Sequence, residues 1–315
     1  MQTTVAGQSA LGAPQQTGFR RRTQDSLTIL LFLLPALAFF LIFVIYPILQ
    51  SVYYSLFNWK GLGPATDFIG LGNYLNILRD QVFLKAVAHG FLIVALSLAV
   101  QLPLALALAL MVGRNLPGRA FFRVIFFMPY VFSEVITAIM WLGILNPDPD
   151  RGYINALLVL IPGAKPVAWL GNTGTVLAAI FVVLTWKYFG LYMLLFMAGL
   201  QNIPAEIEEA ASIDGANRRQ LLTRITVPLL AGTIRTCVYL SVVGSLQQFI
   251  LVWVMTKGGP VNASEVMATY MYRFGFVRFW FGYGCAVAIV MFLICLIFSV
   301  VYLRLARQPD YLSGM

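Results

Sequence analysis

Apolar residues in this chain come in long unbroken runs. They follow neither the three-to-four-residue spacing of a surface helix nor the alternation of a half-buried strand. A helix crossing the ~30 Å hydrocarbon core of a bilayer needs about 20 apolar residues. Six segments meet that test: 27–48, 86–112, 124–145, 173–200, 236–256 and 279–303. Four are free of charge, while the third contains Glu134 and the fourth Lys187. The segment 154–161 is apolar but too short, and Pro162 follows it, so it reads as a loop or a half-inserted turn. No alternating stretch is long enough for a barrel. The pattern predicts an all-α polytopic membrane protein with six transmembrane helices spanning 27–305, a flexible polar tail at 1–26 rich in Gln, Thr, Gly and Ala, and a short tail at 306–315.

The first segment has a basic flank, Arg20–Arg22, and an Ala-Leu-Ala triplet at Ala36–Ala38, as a cleaved signal would. Its apolar run continues ten residues past that triplet, beyond the roughly 7–15 residues of a signal core, so it reads as a retained span. Lys and Arg set orientation. With the N-terminus inside, the inner segments hold eleven (Arg20, Arg21, Arg22, Arg114, Arg119, Arg123, Arg218, Arg219, Arg224, Arg304, Arg307). The outer loops hold eight (Lys60, Arg79, Lys85, Arg151, Lys165, Lys257, Arg273, Arg278). The inner ones cluster at span ends, which predicts both termini in the cytoplasm.

Composition narrows the class. Sixty per cent of the 315 residues are hydrophobic and ten per cent charged, against roughly 25% charged in a soluble domain. A soluble enzyme and a disordered chain are both disfavoured. The net charge of +9 fits basic loops that hold topology and calls for no nucleic acid. Cys237, Cys285 and Cys295 lie in apolar runs without a CxxC spacing, and one histidine, His89, cannot build a metal cluster, so no metal site is expected. The chain has no phosphate-binding loop, dinucleotide fingerprint, zinc-protease or nucleophile-elbow motif. It is expected to have no catalytic residues and no cofactor of its own. Uphill transport would need a partner or an ion gradient.

The stretch 201–228, QNIPAEIEEAASIDGANRRQLLTRITVP, is too polar for the bilayer. Asn202 and Pro204 are helix-start signals, and Glu206, Glu208 and Glu209 favour a helix N-terminus. Asp214-Gly215 marks a turn, and Asn217 can cap a second short helix that runs to Pro228. A helix-turn-helix follows, with Ala210 and Ala211 leaving a smooth face for another protein. A plain loop lying on the membrane surface would also satisfy these residues.

Glu209-Ala210-Ala211, three residues, Gly215, nine residues, Ile225, one residue and Val227-Pro228 resemble the EAA motif of ABC importer permeases, E-A-A-x3-G-x9-I-x-L-P. The one departure is Val227 for Leu. Three further segments, FIGLGNY at 68–74, LNPDPDRGYINALL at 145–158 and TKGGPVNASEVMATYMYRFGF at 256–276, resemble external segments of carbohydrate permeases of the maltose, trehalose and glycerol-phosphate type. Together the resemblance extends over about residues 27–305.

The resemblance implies that 201–228 is a cytoplasmic coupling loop seated in a cleft of an ATPase subunit. Glu209 and Asp214 would make polar contacts there, Ala210 and Ala211 would permit close fit, and Gly215 would form the turn. Arg218 is a candidate salt-bridge partner. The implied partners are a second permease subunit in a heterodimer, two cytoplasmic ATPase subunits that bind ATP and Mg, an extracytoplasmic substrate-binding protein, and a sugar. The implied setting is a prokaryotic cell membrane.

For the substrate pathway, ionisable residues inside spans are functional candidates because they are costly there. Glu134 and Lys187 either pair structurally or face the cavity. Gln247, Gln248 and Gln101 suit sugar hydroxyls, while Tyr188, Tyr192 and Trp186 could stack on a ring or simply pack. The alternatives are a permease of the same kind for peptides or amino acids, and an ion-coupled secondary transporter or channel.

Overall fold

A computed structural model describes residues 29, 31–113 and 118–306. Most of the predicted tails and Arg20, Arg21, Arg22, Arg114 and Arg307 fall outside the described residues. The described chain divides into two units, one ending at Tyr53 and one beginning at Tyr54. The first consists of nearly all of helix α1 (Leu31–Tyr54), apolar along its length and with a π turn at Leu41–Ile45.

In the second unit, α2 (Gly72–Arg79) leads into the long α3 (Gln81–Val112), whose N-terminus Asp80 caps through Val82 N and Phe83 N. Then follow α4 (Arg119–Val131), α5 (Glu134–Ile144), the one-turn α6 (Tyr153–Leu158) and α7 (Val176–Gln201). Next come α8 (Ala205–Ile213), α9 over 218–229, α10 (Ala231–Thr256), α11 (Met267–Tyr272) and α12 (Phe281–Leu305). Among the described residues there is no strand, only a single antiparallel bridge between Phe57 and Phe68.

Among the described residues five helices (α1, α3, α7, α10 and α12) are long and apolar enough to span a membrane. The expected third span is not one rod: α4 and α5 meet at a 97° bend. Pro129 sits near the end of α4, and Ser133 starts a new helix by accepting a hydrogen bond from Ile136 N (3.2 Å). The total reaches six only if this bent pair is counted as one span.

Three buried clusters hold the second unit together. One joins α3, α10, α11 and α12, one joins α5, α7 and α10, and one joins α3, α7 and α10 near the loop at 201–229. α7 is the central helix, with thirteen of its residues buried. It meets α4 at Gly190, where an added Cβ would lie 2.0 Å from the Phe126 carbonyl oxygen, so only glycine allows the two backbones to touch. The three cysteines are buried and free.

After α10 the chain folds back through 257–266. Glu265 is fully buried, pairs with Arg273 at 2.6 Å and accepts from Thr269 Oγ1 (2.9 Å). The His89 ring Nδ1 lies 2.9 Å from the Glu265 main-chain oxygen and must donate to it, which ties this loop to α3. Burial pushes the Glu265 carboxyl up from its ordinary value, and Arg273 opposes that shift.

Candidate functional site

Irregular helix geometry brings polar groups to one place. In α3 a π turn at Ser97–Gln101 orients Ser97 and Gln101 inward. Such bulges recur at functional sites. In α10 the helix ends at Leu246 and restarts at Ile250, with Gln247, Gln248 and Phe249 in the gap. The α4–α5 break leaves Tyr130 on one side and Glu134 on the other. Tyr188 and Tyr192 stand one turn apart on α7.

These groups line a cavity of about 440 Å³, with Ser241, Ser245 and apolar residues such as Ile93 and Leu184 completing the wall. The Tyr188 hydroxyl donates to Glu134 Oε1. Gln101 Nε2 donates to the Leu184 carbonyl (3.2 Å), and the Ser97 and Ser245 hydroxyls are 3.3 Å apart. The cavity is therefore lined by hydroxyls, amides, aromatic rings and one carboxylate.

Of the predicted pathway residues, Glu134, Tyr188, Tyr192, Gln247, Gln248 and Gln101 converge here, and Lys187 does not. Lys187 is buried, and its ammonium donates to the main-chain carbonyls of Pro129 (3.2 Å), Tyr130 (2.9 Å) and Phe132. Its three donors hold the carbonyls that α4 leaves free where it stops. They are not used in an ion pair with Glu134, so Lys187 is a structural clamp on the helix break. Trp186 also turns away from the cavity and packs edge-on against Trp141 (5.7 Å). The sequence reading missed Ser97, Tyr130, Ser241 and Ser245. The serines were detectable as polar positions inside apolar runs, with Ser241 and Ser245 one turn apart.

The second region is 201–229. Asn202 closes α7 and does not start α8; Pro204 occupies the start of α8. Gly215 has φ +87°, a left-handed conformation at the turn. Asn217 and Gln220 form a reciprocal capping box at the start of α9. Glu208 is buried and accepts from Thr226 Oγ1 (3.0 Å), which locks α8 onto α9. Glu209 instead faces a cleft of about 730 Å³, together with Arg119, Gly113, Leu200, Ser212 and Leu221. Ala210, Asp214, Gly215 and Arg218 are exposed, and Ala211 is half-buried. Ile213, at the end of α8, is 86% exposed, an apolar tip beside the turn.

A bundle of membrane-length helices around a polar internal cavity, with a stiff polar elbow at one end, defines a multi-pass membrane transport subunit. Residues 101–310, about two thirds of the chain, match the family described as the binding-protein-dependent transport system inner membrane component, and the chain belongs to that family. Its members are transport components and not enzymes.

The chain is 32% identical over 293 residues to the diacetylchitobiose uptake system permease protein NgcF of Streptomyces coelicolor, covering 89% of this chain and 82% of that protein. It is 33% identical over 282 residues to the trehalose/maltose transport system permease protein MalF of Thermococcus litoralis, covering 88% and 92%. A crystal structure of a bacterial ABC transporter that imports the acidic polysaccharide alginate contains a chain of the same fold. Its TM-score is 0.80 and its identity 23%, with 91% of this chain and 98% of that one covered.

Proposed function

We propose that this protein is a permease subunit of an ATP-driven, binding-protein-dependent importer of saccharides, and that it supplies half of the translocation pathway. The observation that carries the reading is the cavity itself. Amide and hydroxyl groups from Gln101, Gln247, Gln248, Ser97 and Ser245 surround the Tyr188 and Tyr192 rings. Hydrogen-bonding groups around aromatic faces suit a ligand with many hydroxyls and an apolar ring face. The relatives named for sugars, trehalose/maltose and diacetylchitobiose among them, support the same class of cargo.

The chain would pair with a second permease of its kind. Two cytoplasmic ATPase subunits would bind ATP and Mg and grip the elbow at 201–228 through Glu209, Ala210, Ala211, Asp214 and Gly215, with Arg218 as an ionic contact. An extracytoplasmic binding protein would deliver the sugar, and both termini would face the cytoplasm.

Coupling follows from α4. Arg119 at its start lines the cleft shared with Glu209, and Tyr130 near its end lines the cavity. Tyr130 lies eleven helical steps beyond Arg119, about 16 Å. Contact at Gly190 and the Lys187 clamp make α4 and α7 a rigid pair, so movement of the elbow would reach the cavity wall without loss in a soft joint.

Co-purification from native membranes, followed by ATPase assays with saccharide-loaded binding protein, tests the reading. The expected result is an ATPase that travels with this chain and is stimulated by one class of sugar. Ion-driven uptake by the purified chain alone would overturn it, and stimulation only by peptides or amino acids would reassign the cargo.

A further inference from the structure

The pathway cavity holds one charged side chain among the described residues, Glu134. The Lys187 ammonium on α7 feels this charge but is not among the lining residues. Lys187 is 3% exposed, and its ammonium faces three main-chain carbonyls of the broken helix. The rest of the polar lining is uncharged: three glutamines, three serines and three tyrosines.

A carboxylate only accepts hydrogen bonds. It can take a sugar hydroxyl or an ammonium group, and it repels an ionised carboxylate held at contact distance in a site poor in water. Tyr188 donates to its Oε1 and so holds the carboxylate at the cavity wall. We infer that Glu134 is a selectivity residue that restricts this pathway to neutral or amino-bearing saccharides and excludes uronic-acid oligosaccharides. The cargo of the structural relative, the acidic polysaccharide alginate, would therefore be rejected here. This rests on the saccharide reading of the cavity.

The test is direct binding to the complete permease–ATPase complex in nanodiscs, without binding protein, so that only the membrane cavity selects. Maltotriose, lactose and diacetylchitobiose are screened first. The tightest binder is then compared with its derivative oxidised to a carboxylate at C6. Wild type is expected to bind the oxidised sugar weaker by about tenfold or more. In Glu134→Gln the gap should fall below about threefold, whereas Glu134→Asp, which keeps the charge, should preserve it. Equal binding of the two sugars by wild type overturns the inference, as does an undiminished gap in Glu134→Gln. If no saccharide binds any form directly, the same pairs are compared as ATPase stimulation with saccharide-loaded binding protein, and stimulation by none of them fails the saccharide reading and the inference with it. Binding without discrimination removes only the inference.

Discussion

Replacing Lys187 by Met removes the ammonium while keeping an unbranched side chain of similar length. Three carbonyl oxygens, on Pro129, Tyr130 and Phe132, then lose their donor. A hydrogen bond to a charged group contributes about 1.5–3 kcal/mol, which would give roughly 4–9 kcal/mol for three. Two offsets reduce this. Burying the ammonium has a desolvation cost that Met avoids, and water from the neighbouring cavity can reach some of the released carbonyls. A net loss of about 3 kcal/mol remains, equivalent to a fall of roughly 6–12 °C in unfolding temperature for a chain of this size.

The assay is thermal unfolding of the purified complex, read by aggregation-coupled size exclusion. Saccharide binding is measured in parallel at a temperature where the variant is folded. Because the clamp sets the angle of the break, affinity should fall along with stability, as Tyr130 and Glu134 lose their relative placement. An unchanged unfolding temperature, or lowered stability with full affinity, would refute the clamp.

Gly190→Ala sets a Cβ 2.0 Å from the Phe126 carbonyl oxygen and 3.0 Å from Phe127 Cα, both main chain, so α4 must move. The expected cost is about 1–3 kcal/mol or more, read as lower yield in the membrane fraction, whereas Gly143→Ala, with nothing within 4 Å, should leave yield unchanged. Glu209→Lys should abolish sugar-stimulated ATPase activity in the assembled complex while leaving saccharide binding intact. Gly215→Arg, forced into φ +87° on the exposed turn, should lose the ATPase on pull-down. Arg273→Met leaves Glu265, fully buried, without its ion-pair partner, with only the more distant influence of Arg278 remaining, and should lower stability by about 3 kcal/mol. Burial already raises that carboxyl above its unfolded value of about 4.3. Its contribution is therefore fully present below that value and is lost as pH rises through the raised one. Without Arg273 the carboxyl should rise further and the loss should extend to higher pH, a trend that melts between pH 5 and 8 would reveal and that Glu265→Gln should remove.

Five membrane-length helices could be read from the sequence because spanning is an additive property: twenty apolar residues suffice whatever their neighbours. The third segment shows where additivity stops. Its hydropathy is that of a span, yet Pro129 and Ser133 carried a local stop and start that a composition window averages away, and the chain turns by 97° between them. The cavity was partly legible for a related reason. Gln101, Gln247, Gln248 and Glu134 are polar where polarity is expensive, so each pointed to a site before any coordinates. The same argument marked Lys187 but could not say which way it faced. Residues 187 and 188 sit about 100° apart around a helix, and that angle separates a side chain in the pathway from one that binds main-chain carbonyls behind it. Which of the two faces belonged to the cavity depended on where α4 broke, a property of a different segment. Glu208 and Glu209 repeat the lesson on α8. Adjacent and chemically equal, they divide into a buried strut to Thr226 and an exposed contact in the cleft, because only one face of that helix meets α9.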